Sequence, residues 1–438
     1  MSKLWKHHET AAISAAVQTI IKKKDMETTY DVIVVGGGPA GTGAALAAAE
    51  NGARVLLLEG TGRLGGMAVQ ALVGPFLGGI RSSVVQKVLK TIGGRTVDFA
   101  QLDVQLYDLL SSAGVTILLH APVVDIIKED QQVKGVVVHA AGRKLTFTAK
   151  AVIDATGNGD VAYMAGVPYE SGRDGDHLLQ PMSIMYIING IDPERRFLCG
   201  SEEEARIKTV GGRTWEDIVT EAQHNGELPP TVGVVRLYAG SLPSRAIVNA
   251  TQVNGVDGVE PSDLTRAEID GRRQAFQIVE FLRRKLPGFE HVYAELMPSS
   301  IGVRETRRFE GCARLEKEDC INGSQFPDAV VFDAQFCIDI HNPAGSGQAV
   351  GHDTTKQGEA EHCRPYQIPY GCLLPKHVDG LLMAGRCISA SHEAHASLRV
   401  MCIGMAIGAG AGAAAAWAVS HNCQLRAVNA TQLARYLK

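Results

Sequence analysis

The sequence predicts an α/β fold in which a Rossmann-like nucleotide-binding domain is interrupted by an inserted α+β domain. One apolar strand leads into a glycine-rich turn at 36–41, and another ends in a tight turn at 155–157, which together predict the nucleotide-binding domain. Separated strands and one long polar helix fill the middle of the chain and predict the insertion. The predicted divisions are an N-terminal helical arm at 1–29, the nucleotide-binding domain at 30–166 and 350–438, and a substrate or cap domain at 167–349.

The composition narrows the class of protein. Of 438 residues, 45% are hydrophobic and 21% are charged, which is typical of a folded globular chain and excludes wholesale disorder. The 48 glycines are the exception, because their share of roughly 11% exceeds the usual ~7%. The formal net charge of −4 argues against a protein that coats nucleic acid, because that role needs a concentrated basic surface. Nine dispersed cysteines without a C-x-x-C pair exclude a disulfide framework and the usual zinc spacings. We therefore expect a cytoplasmic protein without a metal site.

Both ends of the chain contain apolar stretches. The first 25 residues do not form a convincing signal peptide, because Gln18 and Thr19 interrupt the apolar run. This segment is predicted to be an amphipathic helical arm, a leader that precedes a start at Met26, or an unstructured terminus. Residues 400–419 carry no charge, but glycine and alanine dominate them, which favours a tightly packed core helix over a membrane span.

The first chemical signal follows strand 31–35. Gly36 permits a tight turn, Gly38 allows a pyrophosphate to approach the backbone, and Gly41 allows close packing of the helix on the strand. The helix N-terminus then presents free N–H groups and a positive dipole to the phosphates. The next strand ends at Glu59, whose carboxylate can accept hydrogen bonds from ribose hydroxyls. The pattern therefore predicts a nucleotide of the FAD or NAD type.

Three further segments favour FAD. A second glycine-rich loop at 60–67 follows Glu59, strand 151–157 ends in Ala-Thr-Gly, and a last strand at 379–386 precedes the uncharged helix. In this order the segments resemble flavoproteins with the glutathione-reductase-type FAD fold. The motifs at 302–308, 366–370 and 391–401 resemble the FAD-dependent oxidoreductase family within that group, which is distantly related to fumarate reductase and succinate dehydrogenase flavoproteins.

The resemblance implies that the chain binds FAD and that the N-terminus of the uncharged helix faces the flavin. It also implies that a strand at 115–127 places its backbone near Val123 against the adenine. A helix dipole there stabilises the negative charge of the reduced flavin. No histidine lies between Glu59 and Leu119, so the FAD is expected to be non-covalent. The residues that the resemblance places at the cofactor are Gly36, Gly38, Pro39, Ala40, Gly41, Glu59, Gly60, Arg63, Gly65, Gly66, Met67, Val123, Ala155, Thr156, Gly157, Asp160, Gly385, Arg386, Met401 and Cys402.

Flavin chemistry needs groups that orient a substrate and move a proton. The predicted catalytic residues are His392, His395 and Arg399, which lie between the last strand and the flavin-facing helix, and Arg304. Histidine exchanges protons near neutral pH, and arginine can hold a carboxylate with two hydrogen bonds. The alternative is that the two histidines only bond to backbone or FAD.

Nearby side chains leave further alternatives. An extended strand would place Arg304 and Arg308 on one face and Arg307 on the other, and Glu305 would pair with one of them. Tyr366 and Tyr370 either offer a phenol to the substrate or pack at a domain boundary.

The middle of the chain is predicted to contain strands, a polar helix, a surface helix and a turn-rich connection. These are strands at 181–190, 234–237, 246–253 and 329–340, a polar helix at 262–285, a surface helix at 202–226, and a linker or lid at 341–363.

These inferences predict an FAD-dependent oxidoreductase that transfers hydride between flavin N5 and a small or medium organic substrate. An oxygen-using monooxygenase or oxidase is the first alternative, and a non-redox protein with structural FAD is the second. The sequence has no second unit of strand, glycine triplet and helix, which excludes an NAD(P)H domain of the disulfide-reductase kind. It has no paired redox cysteines, which excludes an electron relay of the thioredoxin-reductase kind. The partners are then a small-molecule substrate and an unidentified electron donor or acceptor, and self-association through the N-terminal arm stays open.

Overall fold

The computed structural model of the chain describes residues 27–96, 98–347 and 360–437, so most of the predicted N-terminal arm lies outside the described residues. The described strands are, in chain order, β1 (Thr29–Val35), β2 (Val55–Leu58), β3 (Gly79–Arg81), β4 (Thr116–Leu118), β5 (Val123–Glu129), β6 (Gln132–Ala140), β7 (Arg143–Asp154), β8 (Tyr169–Ser171), β9 (Met185–Asn189), β10 (Thr209–Val210), β11 (Arg213–Thr214), β12 (Arg236–Ala239), β13 (Arg245–Asn249), β14 (Tyr293–Leu296), β15 (Arg307–Phe309), β16 (Ala329–Gln335), β17 (Tyr366–Pro369) and β18 (Leu381–Met383).

The described α-helices are numbered in the same way. They are α1 (Pro39–Glu50), α2 (Met67–Gln70), α3 (Ser83–Thr91), α4 (Leu102–Ser112), α5 (Asp160–Met164), α6 (Glu202–Ile207), α7 (Trp215–His224), α8 (Pro261–Lys285), α9 (Lys317–Asn322), α10 (His392–Leu398), α11 (Met401–Ser420) and α12 (Ala434–Leu437). Short 3₁₀ turns occupy Pro193–Arg195, Tyr370–Cys372, Leu425–Ala427 and Ala430–Gln432.

A seven-stranded sheet forms the centre of the larger core. Its order is β4-β2-β1-β7-β6-β5, and β18 also pairs with β7. The strands β4, β2, β1, β7 and β18 are mutually parallel, whereas β5, β6 and the first half of β7 form an antiparallel meander. The strand β1 is almost fully buried, as a parallel strand covered on both faces should be. The predicted α/β fold with a parallel sheet core is therefore confirmed.

The helices α1 and α11 pack against each other beside this sheet. Both are rich in glycine and alanine, so their backbones approach closely: a Cβ atom added at Gly408 would lie 1.9 Å from the carbonyl oxygen of Ala40. Among the described residues, α11 alone is long and apolar enough to cross a membrane, and 89% of its most apolar window is buried inside the protein. It is the core helix that its composition predicts.

A second, smaller core lies in the middle of the chain. The antiparallel sheet β12-β13-β9-β14 is covered by α8, whose backbone at Ala275 accepts a hydrogen bond of 3.0 Å from the Tyr186 hydroxyl. Its buried apolar residues fall between 182 and 301, whereas those from 309 onward belong to the larger core. This smaller core falls within the range 167–349 in which the sequence predicts an insertion.

Three predicted elements differ in the structure. The sequence places β16 in the middle unit, but β16 pairs with β3 and β17 and joins the larger core. The expected strand at 115–127 is divided between β4 and β5 because His120 has a positive φ of 53° and Pro122 follows it. The expected surface helix at 202–226 is two helices, because a β10-β11 turn interrupts it and Trp215 is fully buried.

Candidate active site

The glycine turn after β1 has the geometry that its sequence predicts. Gly36 has a φ of +100°, and a Cβ atom there would lie 2.5 Å from the carbonyl oxygen of Ala155. A Cβ atom on Gly41 would lie 1.7 Å from the carbonyl oxygen of Gly36. These two glycines are therefore required by contacts within the protein itself.

Gly38 differs from its two neighbours. It is the N-cap residue of α1, no side chain caps this helix, and Pro39 occupies its first turn. A Cβ atom on Gly38 would find no protein atom closer than the Cα of Gly66, at 3.7 Å. Gly66 belongs to the second glycine loop, which also includes Gly65, so two backbones flank an open space at a helix N-terminus. Such a place is suited to phosphate groups.

Glu59 ends β2 beside this turn. Its carboxylate accepts hydrogen bonds from the backbone N–H of Gly37 at 2.7 Å and of Thr61 at 2.8 Å. The backbone carbonyl of Glu59 also accepts a hydrogen bond from Ala121 at 2.9 Å, which brings the segment before Val123 alongside the second glycine loop. The structure thus brings Glu59, Gly60 and Val123 to the same edge of the sheet.

The Ala-Thr-Gly turn after β7 is held from both sides. Asp154, which is fully buried, accepts hydrogen bonds from the backbone and hydroxyl of Thr156 and from the backbone of Ala162. Burial raises the pKa of Asp154 to about 6, and repulsion from Asp160 adds to this effect. The Arg386 guanidinium donates hydrogen bonds to the Gly157 carbonyl at 3.0 Å and to Asn158 at 2.6 Å.

The flavin-facing residues predicted on α11 lie at its first turn. Met401 is its first residue, and the Cys402 N–H donates a hydrogen bond of 3.1 Å to the carbonyl of Leu77. Gly385, which lies in the turn after β18, has a φ of +85°, and a Cβ atom there would lie 2.9 Å from the Cβ of Ala40. Gly408 faces the carbonyl of Ala40 and Gly412 faces that of Ala44, so α1 and α11 run in the same direction and their N-termini point to the same side.

Two predicted cofactor residues have protein partners. The Arg63 guanidinium donates to Asp103 at 2.6 Å and to the Phe99 carbonyl at 3.0 Å. Asp160 begins α5 and lies 3.5 Å from Arg307, whose guanidinium also stacks on the Tyr163 ring at 4.0 Å from its centroid. Arg307 is thus occupied by structural contacts.

The predicted proton-transfer group is buried. His392 Nδ1 lies 2.8 Å from Glu305 Oε1, which also pairs with the Arg308 guanidinium. His392 Nε2 and both ring nitrogens of His395 have no hydrogen-bond partner among the described residues. Burial lowers the pKa of His395 well below its ordinary value, and the positive charge of Arg308 adds to this effect, so this imidazole is neutral at pH 7.

Arg304 and Arg399 meet at the boundary of the two cores. The sequence predicts Arg304 within an extended strand, but the residue lies before β15. Its guanidinium donates a hydrogen bond to the carbonyl of Pro181. Arg399 pairs with Asp339 at 3.0 Å and lies 3.5 Å from the amide oxygen of Gln180. Burial lowers the pKa of Arg304 to about 9, and repulsion from Arg399 adds to this effect. At pH 7 both guanidinium groups are charged.

Tyr366 and Tyr370 are buried and bonded within the protein. The Tyr366 hydroxyl lies 3.0 Å from that of Ser397, and the Tyr370 hydroxyl donates to the Leu425 carbonyl at 3.0 Å. These contacts favour the packing alternative for both phenols. Cys320 and Cys363 are free thiols from distant segments, and each influences the pKa of the other: it is raised for Cys320 and lowered for Cys363.

Several polar residues of this site escaped the sequence analysis. Asp339 and His341 alternate with apolar neighbours at the end of the β16 segment, a period-2 signal that places both on one face. Arg236 stands within an apolar strand and is 8% exposed, and Gln180 is 1% exposed. A charged residue inside an apolar strand can be recognised in the sequence. The residues that it contacts cannot, because they lie in distant segments of the chain.

A family model described as FAD dependent oxidoreductase matches residues 31–437. The chain belongs to this family. FAD is therefore its cofactor, and the protein is a redox enzyme. A relative is the tRNA uridine 5-carboxymethylaminomethyl modification enzyme MnmG of Alkaliphilus metalliredigens, with 32% identity over 34% of this chain and 27% of that enzyme.

Two solved structures are also similar to this FAD-dependent oxidoreductase. A geranylgeranyl bacteriochlorophyll reductase-like protein of Thermoplasma acidophilum has a TM-score of 0.46 and 15% identity, covering 93% of this chain and 82% of its own. The myxobacterial chondrochloren halogenase CndH has a TM-score of 0.44 and 13% identity, covering 90% of this chain and 75% of its own.

The residues of the turn region fit a dinucleotide. The N-terminus of α1 has no side-chain cap, Gly38 leaves open the space that a Cβ would fill, and Glu59 stands at the end of β2. An uncapped N-terminus suits a pyrophosphate, and a carboxylate at the strand end suits ribose hydroxyls.

Proposed function

We propose that this enzyme transfers a hydride between a small or medium organic substrate and N5 of non-covalently bound FAD. Bound FAD supplies the two-electron carrier for this reaction. One observation carries the proposal: Arg386 donates to Gly157 in the cofactor turn and, at 2.5 Å, to the carbonyl of Val303, the residue before Arg304. Arg386 thus connects the Ala-Thr-Gly turn at 155–157 to the segment that carries Arg304, the predicted substrate-binding arginine.

The proposal assigns FAD to the predicted cofactor residues. Gly38 and the first turn of α1 would hold the pyrophosphate, Glu59 the ribose, and the first turn of α11 the flavin end. Acid precipitation tests the non-covalent attachment, because free FAD would then move into the supernatant. Flavin that stays with the precipitate would contradict this part of the proposal.

Arg304 and Arg399 would orient the substrate. Both are charged at pH 7, and both lie where the smaller core meets the larger one. An arginine presents several donors in a fixed plane, so two of them can fix the angle at which a reacting carbon approaches the flavin.

His392 would transfer the proton. Glu305 can only accept when ionised, so its contact with Nδ1 places the imidazole proton on that nitrogen and leaves a lone pair on Nε2. Nε2 has no partner among the described residues and can therefore take a substrate proton. His395, which is neutral, follows one helical turn later and would be the second candidate.

The test compares His392→Ala and Arg399→Ala with Arg273→Ala, whose side chain is 75% exposed at the surface. Each variant is first checked for FAD content, and reduction by candidate donors is then followed anaerobically by bleaching near about 450 nm. We expect the first two to lose at least about 100-fold in rate, as removal of an acid–base or orienting group does, and the third to keep the wild-type rate.

Unchanged rates in His392→Ala and Arg399→Ala would contradict the assigned roles. Rapid reoxidation of the reduced enzyme by oxygen, coupled to formation of an oxygenated product, would replace the proposal with the oxygen-using alternative.

A further inference from the structure

One side chain joins the second glycine loop to the smaller core. Gln70 is the last residue of α2, which follows this loop directly. Its side-chain amide contacts Thr61 of the loop on one side and Ser299 on the other. Neither Gln70 nor Ser299 is among the residues that the sequence predicts to bind the cofactor or the substrate. The contact therefore has no part in the function proposed above.

Gln70 holds the loop through the donor end of its amide. The amide nitrogen donates hydrogen bonds to the Thr61 hydroxyl at 2.7 Å and to the Arg63 carbonyl at 3.4 Å. The Thr61 hydroxyl itself donates to the Arg63 carbonyl at 3.1 Å, so it accepts from Gln70. A carbonyl oxygen can only accept, and this fixes which end of the amide is nitrogen.

This side chain also stands next to the two features assigned to FAD. The backbone N–H of Thr61 donates at 2.8 Å to the carboxylate of Glu59, which is assigned to the ribose. The backbone N–H of Gln70 donates at 2.7 Å to the carbonyl of Gly66, which flanks the open space beside Gly38. A displacement of Gln70 would therefore reach the ribose position and the pyrophosphate position together.

The acceptor end of the amide meets the smaller core. The Ser299 hydroxyl lies 2.5 Å from the Gln70 amide oxygen and 3.0 Å from its backbone carbonyl oxygen, and it can donate its hydrogen to either. The backbone N–H of Ser300 also donates to that carbonyl at 3.0 Å. Both ends of the Gln70 amide are thus engaged, each by a different part of the protein.

The neighbours of Ser299 are anchored to α8. The Pro298 carbonyl accepts a hydrogen bond from the Arg272 guanidinium at 3.0 Å, and the Ile301 N–H donates to the Glu268 carboxylate at 2.7 Å. Arg272 and Glu268 both lie on α8 and pair with each other. Ile301 is buried in the smaller core. Because it is held on both sides, Ser299 should move together with the smaller core.

We propose that Gln70 is a positioning residue for FAD: through Ser299, the smaller core holds the second glycine loop in the shape that binds the cofactor. The inference goes beyond the proposed function, because it concerns the retention of FAD and does not depend on the reaction that FAD performs. The effect should be moderate, since these hydrogen bonds are exposed to water in part.

The test is a double-mutant cycle on the FAD-loaded enzyme. The variants are Gln70→Ala, Ser299→Ala and the two combined, and the release of FAD after dilution is followed by flavin fluorescence. Ser299→Thr keeps the hydroxyl. Ser300→Ala is the matched control, because Ser300 bonds to Gln70 through its backbone N–H, which the substitution leaves in place.

We expect Gln70→Ala and Ser299→Ala each to accelerate FAD release by about threefold or more, which is the size of one lost hydrogen bond. In the Gln70→Ala background, Ser299→Ala should accelerate release clearly less than it does alone, because two residues that act through one contact are not additive. Ser299→Thr and Ser300→Ala should release FAD at the wild-type rate.

Release of FAD from Ser299→Ala at the wild-type rate would overturn the proposal. Accelerations that simply multiply in the double variant would also overturn it, because Ser299 would then act independently of Gln70. Ser299 is exposed, so its replacement leaves the core intact. The comparison of Ser299→Ala with Ser299→Thr therefore decides the matter even if Gln70→Ala does not fold.

Discussion

The glycine turn at 36–41 and the charged group around Arg304 and Arg399 are built on different physical terms. In the turn, backbone meets backbone: the carbonyl of Gly36 lies where a Cβ of Gly41 would be. In the charged group, Arg399, Asp339 and Gln180 come from separate segments and meet through charge and hydrogen bonds. Gly36 and Gly41 tolerate no added atom, whereas the charged group should respond gradually to changes in charge.

Shape constrains the glycine turn, because a dinucleotide must lie against the backbone. Charge constrains the group around Arg304 and Arg399, because its members meet through long side chains. The variants below test whether the two regions really behave in these two ways.

The largest effect is expected from a pair of glycines in the turn. Gly41→Ala places a methyl group 1.7 Å from the Gly36 carbonyl oxygen and should prevent folding, whereas Gly38→Ala meets no atom within 3.7 Å. We expect Gly38→Ala to fold and to lose FAD affinity by at least about tenfold, since its methyl group occupies the phosphate space. Soluble yield, circular dichroism and FAD titration measure both. Equal behaviour of the two variants would remove the distinction between structural and cofactor-facing glycines.

The next effect concerns α11. Gly408→Ala would set a methyl group 1.9 Å from the Ala40 carbonyl oxygen, whereas Gly404→Ala, one turn earlier, meets no protein atom within 4 Å. We expect Gly408→Ala to lower the free energy of unfolding by about 3 kcal/mol or more, and Gly404→Ala to leave it unchanged or raise it by about 0.5–1 kcal/mol. Denaturant unfolding, with FAD content recorded, measures the pair. A larger loss in Gly404→Ala than in Gly408→Ala would show that shape does not control this contact.

The smallest effect tests a charge inside the region built by shape. Burial raises the pKa of Asp154 from 3.8 to about 6, so its favourable contribution is complete below pH 4 and is lost as the pH rises through 6. Asp154→Asn cannot ionise and should therefore gain about 2 kcal/mol of unfolding free energy relative to wild type between pH 4 and pH 7. Denaturant titrations at several pH values measure this difference. A pH-independent difference would mean that Asp154 is ionised at all these pH values.

Much of the cofactor half could be predicted because its signals are local. The strand, the spacing of Gly36, Gly38 and Gly41, and Glu59 fall within thirty consecutive residues, and each has one physical reason. The buried nature of α11 followed in the same way from its glycine and alanine content. A feature that is formed by neighbouring residues can therefore be identified from the sequence alone.

The charged group at the boundary of the two cores could be predicted only in part. The sequence indicates Arg304 and Arg399, but Asp339 and Gln180 lie dozens of residues away, and only the packing of the two cores brings them together. The division of 115–127 into two strands depended on one backbone angle at His120, which propensity does not reveal.

The direct contact of α1 with α11 also governs how the enzyme can move. Gly43, Gly408 and Gly412 each leave backbone against backbone, without the layer of interlocking side chains that lets packed helices slide in small steps. The two helix N-termini should therefore travel as one rigid body, and the spacing between pyrophosphate and flavin should stay constant through turnover. Any movement that admits a substrate should therefore occur elsewhere in the chain and leave this helix pair unchanged.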